Sequence, residues 1–143
     1  ARAGARMPIE EIRPIVQHAV SATLATCEGS QPRVRPMSFS LTAEGRLLSS
    51  TRDSSGKMRE FAGNPRVELC FVDADKNHVR IEGRIDVSGG GADKRSLLDA
   101  HPPARRHFGD PEHPNLVHVE VVPTHVRWKP PGFCEYRVVA LDR

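Results

Sequence analysis

Residues 49–65, SSTRDSSGKMREFAGNP, combine hydroxyl side chains, a Gly-Lys pair and a short helical pattern that ends at Asn-Pro. The pattern predicts a strand ending near Thr51, a turn through residues 53–56 and a helix that begins at about Lys57. Such a turn directs helix amides, hydroxyls and one ammonium group at a common point, as a bound phosphate requires. The alternative is an ordinary helix cap at Ser54 or Ser55 beside a solvated lysine.

Other chemistry that these residue types could support is less well matched. The phosphate-binding loop of nucleoside triphosphatases would need Gly and Ser or Thr where the chain has Thr51 and Met58. Cys27 and Cys70 fall in apolar strand patterns, which predicts buried thiols rather than nucleophiles. Three histidines of a Pro-rich segment suggest a metal site, but zinc usually takes cysteines or closely spaced histidine pairs, and we predict no metal site. They are His101, His107 and His113.

Length and composition predict one globular domain over residues 8–143, preceded by a tail at 1–7 that is disordered or left over from expression. The 21 basic and 18 acidic residues are interspersed, and no apolar run approaches the length of a membrane helix. We therefore expect neither a nucleic acid nor a membrane partner. Three widely spaced cysteines indicate reduced thiols and a cytoplasmic protein.

The elements that would position the turn are mostly strands. Short apolar or alternating segments divided by Gly, Pro, Asp or Asn predict a six-stranded antiparallel barrel, with a β-sandwich as the alternative. Alternation is cleanest at residues 79–87, where Gly83 interrupts the apolar face and predicts a bend. Helices are expected near 9–18, 55–63 and 92–100, the first shortened or kinked by Pro14. Residues 101–115 are expected to form a loop.

The order of these segments resembles the FMN-binding split-barrel family of pyridoxamine 5′-phosphate oxidase-like proteins, especially its small general-stress-protein branch. The resemblance covers roughly residues 20–128. Its pieces are an R-P-M strand, an S/T-x-D-S-x-x-K turn, an N-P-R-V strand and a V-x-I-x-G strand. It implies a mainly β (α+β) fold, a six-stranded antiparallel split β-barrel with short flanking helices, and a homodimer that holds FMN between its subunits.

The resemblance also implies which residues would contact the cofactor. Arg35 would lie near the flavin phosphate or ring edge, and Pro36, Met37 and Ser38 would run alongside the isoalloxazine ring. His78 would approach that ring, and Trp128 would lie near the flavin of the partner subunit. The residues matching the phosphate-binding positions are Ser50, Thr51, Ser55, Gly56 and Lys57.

Three departures from the family pattern bear on the activity. The oxidases generally carry Arg-Lys where this chain has Gly56-Lys57, and a Lys where it has Ser40. The tail at 134–143 lacks the Arg-x-His type of substrate motif, which argues against a vitamin-forming oxidase. We expect an oxidoreductase acting on a small substrate through the flavin N5, with no catalytic residue assigned. The alternatives are a deazaflavin-dependent reductase on the same barrel and a non-enzymatic flavin-binding stress protein.

Overall fold

A computed structural model describes residues 7–141, with side chains from residue 9 onward. The predicted tail lies outside the described residues except for Met7, which begins the first helix. The helices are α1 (Met7–Glu10), α2 (Arg13–His18), α3 (Gly56–Gly63), α4 (Gly91–Ala100) and α5 (Pro102–Phe108). The strands are β1 (Ala22–Glu28), β2 (Gln31–Met37), β3 (Ser40–Leu41), β4 (Leu47–Arg52), β5 (Arg66–Val72), β6 (His78–Asp86), β7 (Leu116–Lys129) and β8 (Arg137–Val139).

All strands belong to one antiparallel sheet with the order β2-β1-β5-β6-β7-β4-β3, and β8 adds to β7. The predicted class, a mainly antiparallel split barrel with short helices, is confirmed. The count is eight strands rather than six, because β3 and β8 contribute two- and three-residue strands. No ladder joins β2 to β3 in the part of the chain described. β2 and β3 are the edge strands of the sheet and are joined only by the chain at residues 38–39, so the barrel is split.

The bend expected at Gly83 is present and shapes the longest ladder. The pairing of β6 with β7 shifts register between Glu82 and Gly83, and Pro123 lies opposite Gly83. A Cβ atom at this position would lie 2.6 Å from the carbonyl oxygen of Val122. Glycine is required because the two backbones approach so closely. Residues 116–129 therefore form one bent strand, β7.

The N-terminal region forms two short helices instead of one kinked helix. Pro14 has no amide hydrogen, and its ring would clash with the carbonyl four residues earlier, that of Glu10. α1 ends at Glu10, and α2 begins at Arg13 with the proline in its first turn. α2 then buries Ile15 and Val16 against the inner face of the sheet.

α5 corrects the prediction of a loop over 101–115. Pro102 occupies the first helical position, where its missing amide costs no hydrogen bond, and Gly109 ends the helix in the left-handed conformation at φ +74°. The helix buries Ala104 and Phe108 in a second, smaller core on the outer face of β4 and β7. Its other members are Leu48, Leu97, Leu98 and Leu116.

The prediction of buried thiols was wrong in degree, since Cys27 and Cys70 are both half-buried. They lie on the outer faces of β1 and β5, while the alternate positions, such as Thr26 and Phe71, are buried inside. Partial burial raises the pKa of the Cys70 thiol.

Candidate functional site

The turn between β4 and α3 has the predicted form. Ser55 is the N-cap of α3, and its hydroxyl oxygen accepts a 3.2 Å hydrogen bond from the amide of Lys57. Two backbone bonds of 3.0 Å hold the turn, from Ser55 to the carbonyl of Arg52 and from Asp53 to that of Asn115. The capping interpretation is correct for Ser55, but its hydroxyl hydrogen remains available to a ligand.

A cavity of about 580 Å³ opens beside this turn, within the range usual for small-molecule sites. It brings together four of the predicted residues, from the end of β4 and the start of α3. The opposite wall comes from α5, the helix missed in the sequence analysis. The lining residues are Ser50, Thr51, Arg52, Ser54, Ser55, Lys57, Pro103, His107 and Phe108.

Thr51 is the most informative hydroxyl of the cavity. Only 8% of the residue is exposed, yet its side chain makes no hydrogen bond to any residue between 9 and 141. Neighbouring Ser49, by contrast, donates a 2.5 Å hydrogen bond to the carbonyl of Ser38. The Thr51 hydroxyl is accessible from the cavity and is free to bind a ligand atom there.

Two cations enter the cavity without a counterion. Lys57, half-buried, and Arg52, exposed, form no ion pair with any carboxylate of the described residues. Arg52 was not singled out in the sequence, although it stands inside the turn motif, directly after Thr51. Two unpaired positive charges beside free hydroxyls favour an anion.

Arg35 lies elsewhere, because its guanidinium group is paired with Glu60 on α3 and donates to the carbonyl of Leu24 at 3.3 Å. Glu60 also accepts a 2.7 Å hydrogen bond from Thr26. That hydrogen bond, followed by the charge of Arg35, lowers the pKa of the Glu60 carboxyl. Arg35 does not line the cavity, and its charge is already matched.

The other predicted residues of this region are also outside the cavity lining. Met37 is buried in the core, while Pro36 and Ser38 are exposed around it. Gly56 is the exposed first residue of α3, and no described atom lies within 4 Å of a Cβ placed there. The backbone that was expected to follow the isoalloxazine ring therefore does not line the cavity.

His78 and Trp128 lie at neighbouring positions of the β6–β7 ladder, on opposite faces of the sheet. Trp128 is paired with Val79, the neighbour of His78, and His78 Nε2 lies 2.7 Å from the hydroxyl of Tyr136. Burial, followed by the nearby charge of Lys129, lowers the pKa of His78. Thr51 pairs with Val117 of the same strand, β7, which leaves up to roughly 36 Å of strand between Val117 and Trp128. Within one chain these two residues and the cavity are separate.

Ser40, where the oxidases carry a lysine, belongs to a buried pair. Its hydroxyl lies 2.7 Å from Nδ1 of His101, between α4 and α5. Burial, followed by the charge of Arg106, lowers the pKa of His101 to about 4. His101 is therefore a neutral structural side chain near neutral pH. Among residues 9–141 no three His, Cys, Asp or Glu side chains are arranged to hold a metal ion.

Comparison with known proteins tests the family predicted from segment order. The sequence profile described as pyridoxamine 5′-phosphate oxidase matches residues 8–129, most of the chain. The chain belongs to the pyridoxamine 5′-phosphate oxidase family. The predicted family is thereby confirmed. Comparison with curated protein sequences gave no match.

Solved structures agree with this family assignment. A NimC/NimA family protein from Clostridium acetobutylicum is similar with a TM-score of 0.81 and 19% identity, over 96% of this chain and 94% of that one. General stress protein 26 from Bacillus anthracis strain Sterne is similar with a TM-score of 0.72 and 21% identity, over 94% of this chain and 99% of that one. A heme binding protein from Mycobacterium smegmatis is similar with a TM-score of 0.73 and 20% identity, over 92% of this chain and 57% of that chain. At such identities the similarity shows the shared fold.

No helix in the described part of this pyridoxamine 5′-phosphate oxidase family member is both long and apolar enough to cross a membrane.

Proposed function

We propose that this protein binds FMN, with the phosphate in the cavity between β4, α3 and α5, and acts as an oxidoreductase on a small substrate. The observation that carries the proposal is the side chain of Thr51, which makes no hydrogen bond within residues 9–141 and lines a cavity that also holds the unpaired Lys57. Family membership supports a flavin as the ligand, since the resemblance in the sequence implied FMN at these positions.

The residues present fit a phosphomonoester. A phosphate group of this kind carries between one and a half and two negative charges near pH 7, with several strong acceptor oxygens. Lys57 and Arg52 offset that charge, and Ser50, Thr51 and Ser55 offer hydroxyl donors. The amide of Gly56 is the first of α3, and a helix N-terminus of this kind offers amide donors to an anion.

When bound, the flavin ring would supply hydride transfer at N5, and the protein would supply binding, orientation and exclusion of water. Arg35, Pro36, Met37 and Ser38 keep their proposed place beside the ring. The ion pair of Arg35 with Glu60 would fix β2 against α3 and so hold this strand in position. No side chain of the chain is assigned a proton-transfer role.

We also propose a homodimer, because the family resemblance implied a place for Trp128 near the flavin of the partner subunit, and because neither His78 nor Trp128 lines the cavity of its own chain. A second copy would bring Trp128 to the ring. An interface that encloses a flavin should bury more than roughly 1,200 Å² in total. A small-molecule substrate and a cytoplasmic location belong to the same proposal.

The deciding experiment is the absorption spectrum of the protein as purified, together with the mass of the ligand released on denaturation. Bound FMN supports the proposal, and a deazaflavin would favour the alternative reductase. A heme spectrum would replace both flavins, an outcome made specific by the similar structure of a heme binding protein. Turnover with a nicotinamide donor and an electron acceptor then separates an oxidoreductase from a flavin-binding stress protein.

A further inference from the structure

We infer that Arg52 is the second cation of this phosphate site, the partner of Lys57. The family resemblance had implied a place near the flavin phosphate for Arg35. The inference rests on the proposed function for the identity of the phosphate ligand. Three arginines lie around α3, namely Arg35, Arg52 and Arg59. Of these, only Arg52 lines the cavity.

The backbone around Arg52 is held firmly while its side chain is free. Arg52 is the last residue of β4, paired with Leu116 of β7, and its carbonyl accepts the amide of Ser55 at 3.0 Å. Asp53 is fixed in turn by the carbonyl of Asn115. The guanidinium group is exposed and pairs with no described carboxylate. The backbone that carries the Arg52 side chain is therefore preorganised, and the guanidinium charge has no counterion among the described residues.

A second observation points to a ligand in the same place. Thr51, the residue before Arg52, is more than nine-tenths buried, and its hydroxyl has no partner among residues 9–141 and lies in the cavity that Arg52 lines. A bound phosphoryl oxygen would satisfy the hydroxyl and offset both cations. Neither need is met by any side chain of residues 9–141.

Arg35 is poorly placed for that role. Its guanidinium group would have to leave Glu60, a carboxylate whose side chain is only 12% exposed. Separating a buried pair leaves an uncompensated charge, which is strongly unfavourable. Arg52 can contact an anion without breaking any existing contact. The missing side chain at Gly56 also leaves space beside the turn, since no described atom lies within 4 Å of a Cβ at this residue.

The test compares three arginine variants by equilibrium titration with FMN and with riboflavin, which lacks the phosphate. Arg52→Ala should weaken FMN binding about tenfold or more, the loss of a charge-assisted hydrogen bond, and leave riboflavin binding nearly unchanged. Arg52→Lys should recover part of the loss. Arg59→Ala is the matched control, because Arg59 lies on α3, the helix after the turn, with 78% of its side chain exposed, and does not line the cavity. It should change neither titration.

Arg35→Ala supplies the opposing arm. If Arg35 only fixes β2 to α3, its removal should lower thermal stability and weaken both flavins by a similar factor. A selective loss of FMN in Arg35→Ala, with Arg52→Ala unchanged, would overturn the inference. An equal loss of both flavins in Arg52→Ala would overturn it too.

A further experiment measures the thermal unfolding midpoint with and without inorganic phosphate, in the absence of any flavin. Phosphate should stabilise the wild-type and Arg59→Ala proteins but not Arg52→Ala. If neither flavin bound and phosphate still showed this pattern, the proposed function would fail while the assignment of Arg52 stood. If FMN bound while phosphate stabilised Arg52→Ala as much as the wild-type protein, the assignment of Arg52 would fail and the proposed function would stand.

Discussion

The indole nitrogen of Trp128 donates a 2.6 Å hydrogen bond to a carboxylate oxygen of Glu11. The same carboxylate forms a 2.5 Å ion pair with Arg137 of β8. Glu11 lies between α1 and α2, so one side chain joins the N-terminal helices to the end of β7 and to β8. The orientation of the indole ring at the proposed subunit interface thus depends on a residue 117 positions earlier in the chain.

Replacing Glu11 by Ala should destabilise the protein by about 1–3 kcal/mol, because a charged acceptor is removed from a half-buried indole. Trp128 is the only tryptophan of the sequence, so fluorescence reports on it directly. We expect a red-shifted emission as the indole N–H turns to water. Glu11→Gln retains an acceptor and serves as the control. An unchanged spectrum in Glu11→Ala would mean that the bond does not hold the ring.

Replacing Gly83 by Ala should destabilise the fold by about 1–3 kcal/mol through overpacking. The new Cβ would lie 2.6 Å from the carbonyl oxygen of Val122 and 2.8 Å from a methyl carbon of Val121. Chemical denaturation measures the change. Gly63→Ala is the control, because no described atom lies within 4 Å of that position and the residue ends α3. Equal stability of the two variants would contradict the close approach of β6 and β7.

Replacing Lys57 by Ala should weaken FMN binding by roughly 10- to 150-fold, the equivalent of one charge-assisted hydrogen bond. Riboflavin binding should hardly change. The fold should be retained, since the capping bond uses the backbone amide of Lys57 and not its side chain. Flavin titration by fluorescence gives both affinities. An equal effect on the two flavins would place the phosphate away from this turn.

Acid should destabilise the protein partly through His101. Its pKa is about 4 in the folded protein and about 6.5 when unfolded, so above pH 6.5 both states are neutral and stability is unaffected. Between pH 6.5 and 4 the unfolded state binds more protons, and stability falls by about 3 kcal/mol in total. His101→Asn should flatten this slope in urea titrations at several pH values.

The proposed homodimer can be checked by analytical ultracentrifugation with FMN present. A dimer at micromolar concentration is expected if the interface exceeds roughly 1,200 Å². Because the flavin would lie between subunits, its removal should favour dissociation. A monomer that still bound FMN tightly would leave His78 and Trp128 without a part in the site.

Local patterns predicted local structure well. Alternation along 79–87 identified β6 and its buried positions, and the Ser55 cap marked the start of α3 within a residue. α5 was missed because two prolines and several histidines conceal a helix whose buried residues are only Ala104 and Phe108. Pro102 at its first position and Gly109 after its last were the available signals.

Contacts between distant segments were not readable from the sequence. The pairing of Arg35 with Glu60 decides that this arginine is outside the cavity, yet both residues were compatible with several partners. The same applies to Ser40 and His101, which are 61 residues apart. Four of the residues expected around the phosphate do meet in one cavity, because β4, the turn and α3 are continuous in the chain.

The register of β4 against β7 has a consequence for how the protein forms during synthesis. Leu47 pairs with Val121 and Arg52 with Leu116, so β4 gains its long neighbour only after residues 116–121 have been synthesised. Until then β4 has only the two-residue β3 beside it, and its other edge is unpaired. The cavity between β4, α3 and α5 should therefore form late, and until β7 has paired, the unpaired edge of β4 is open to aggregation.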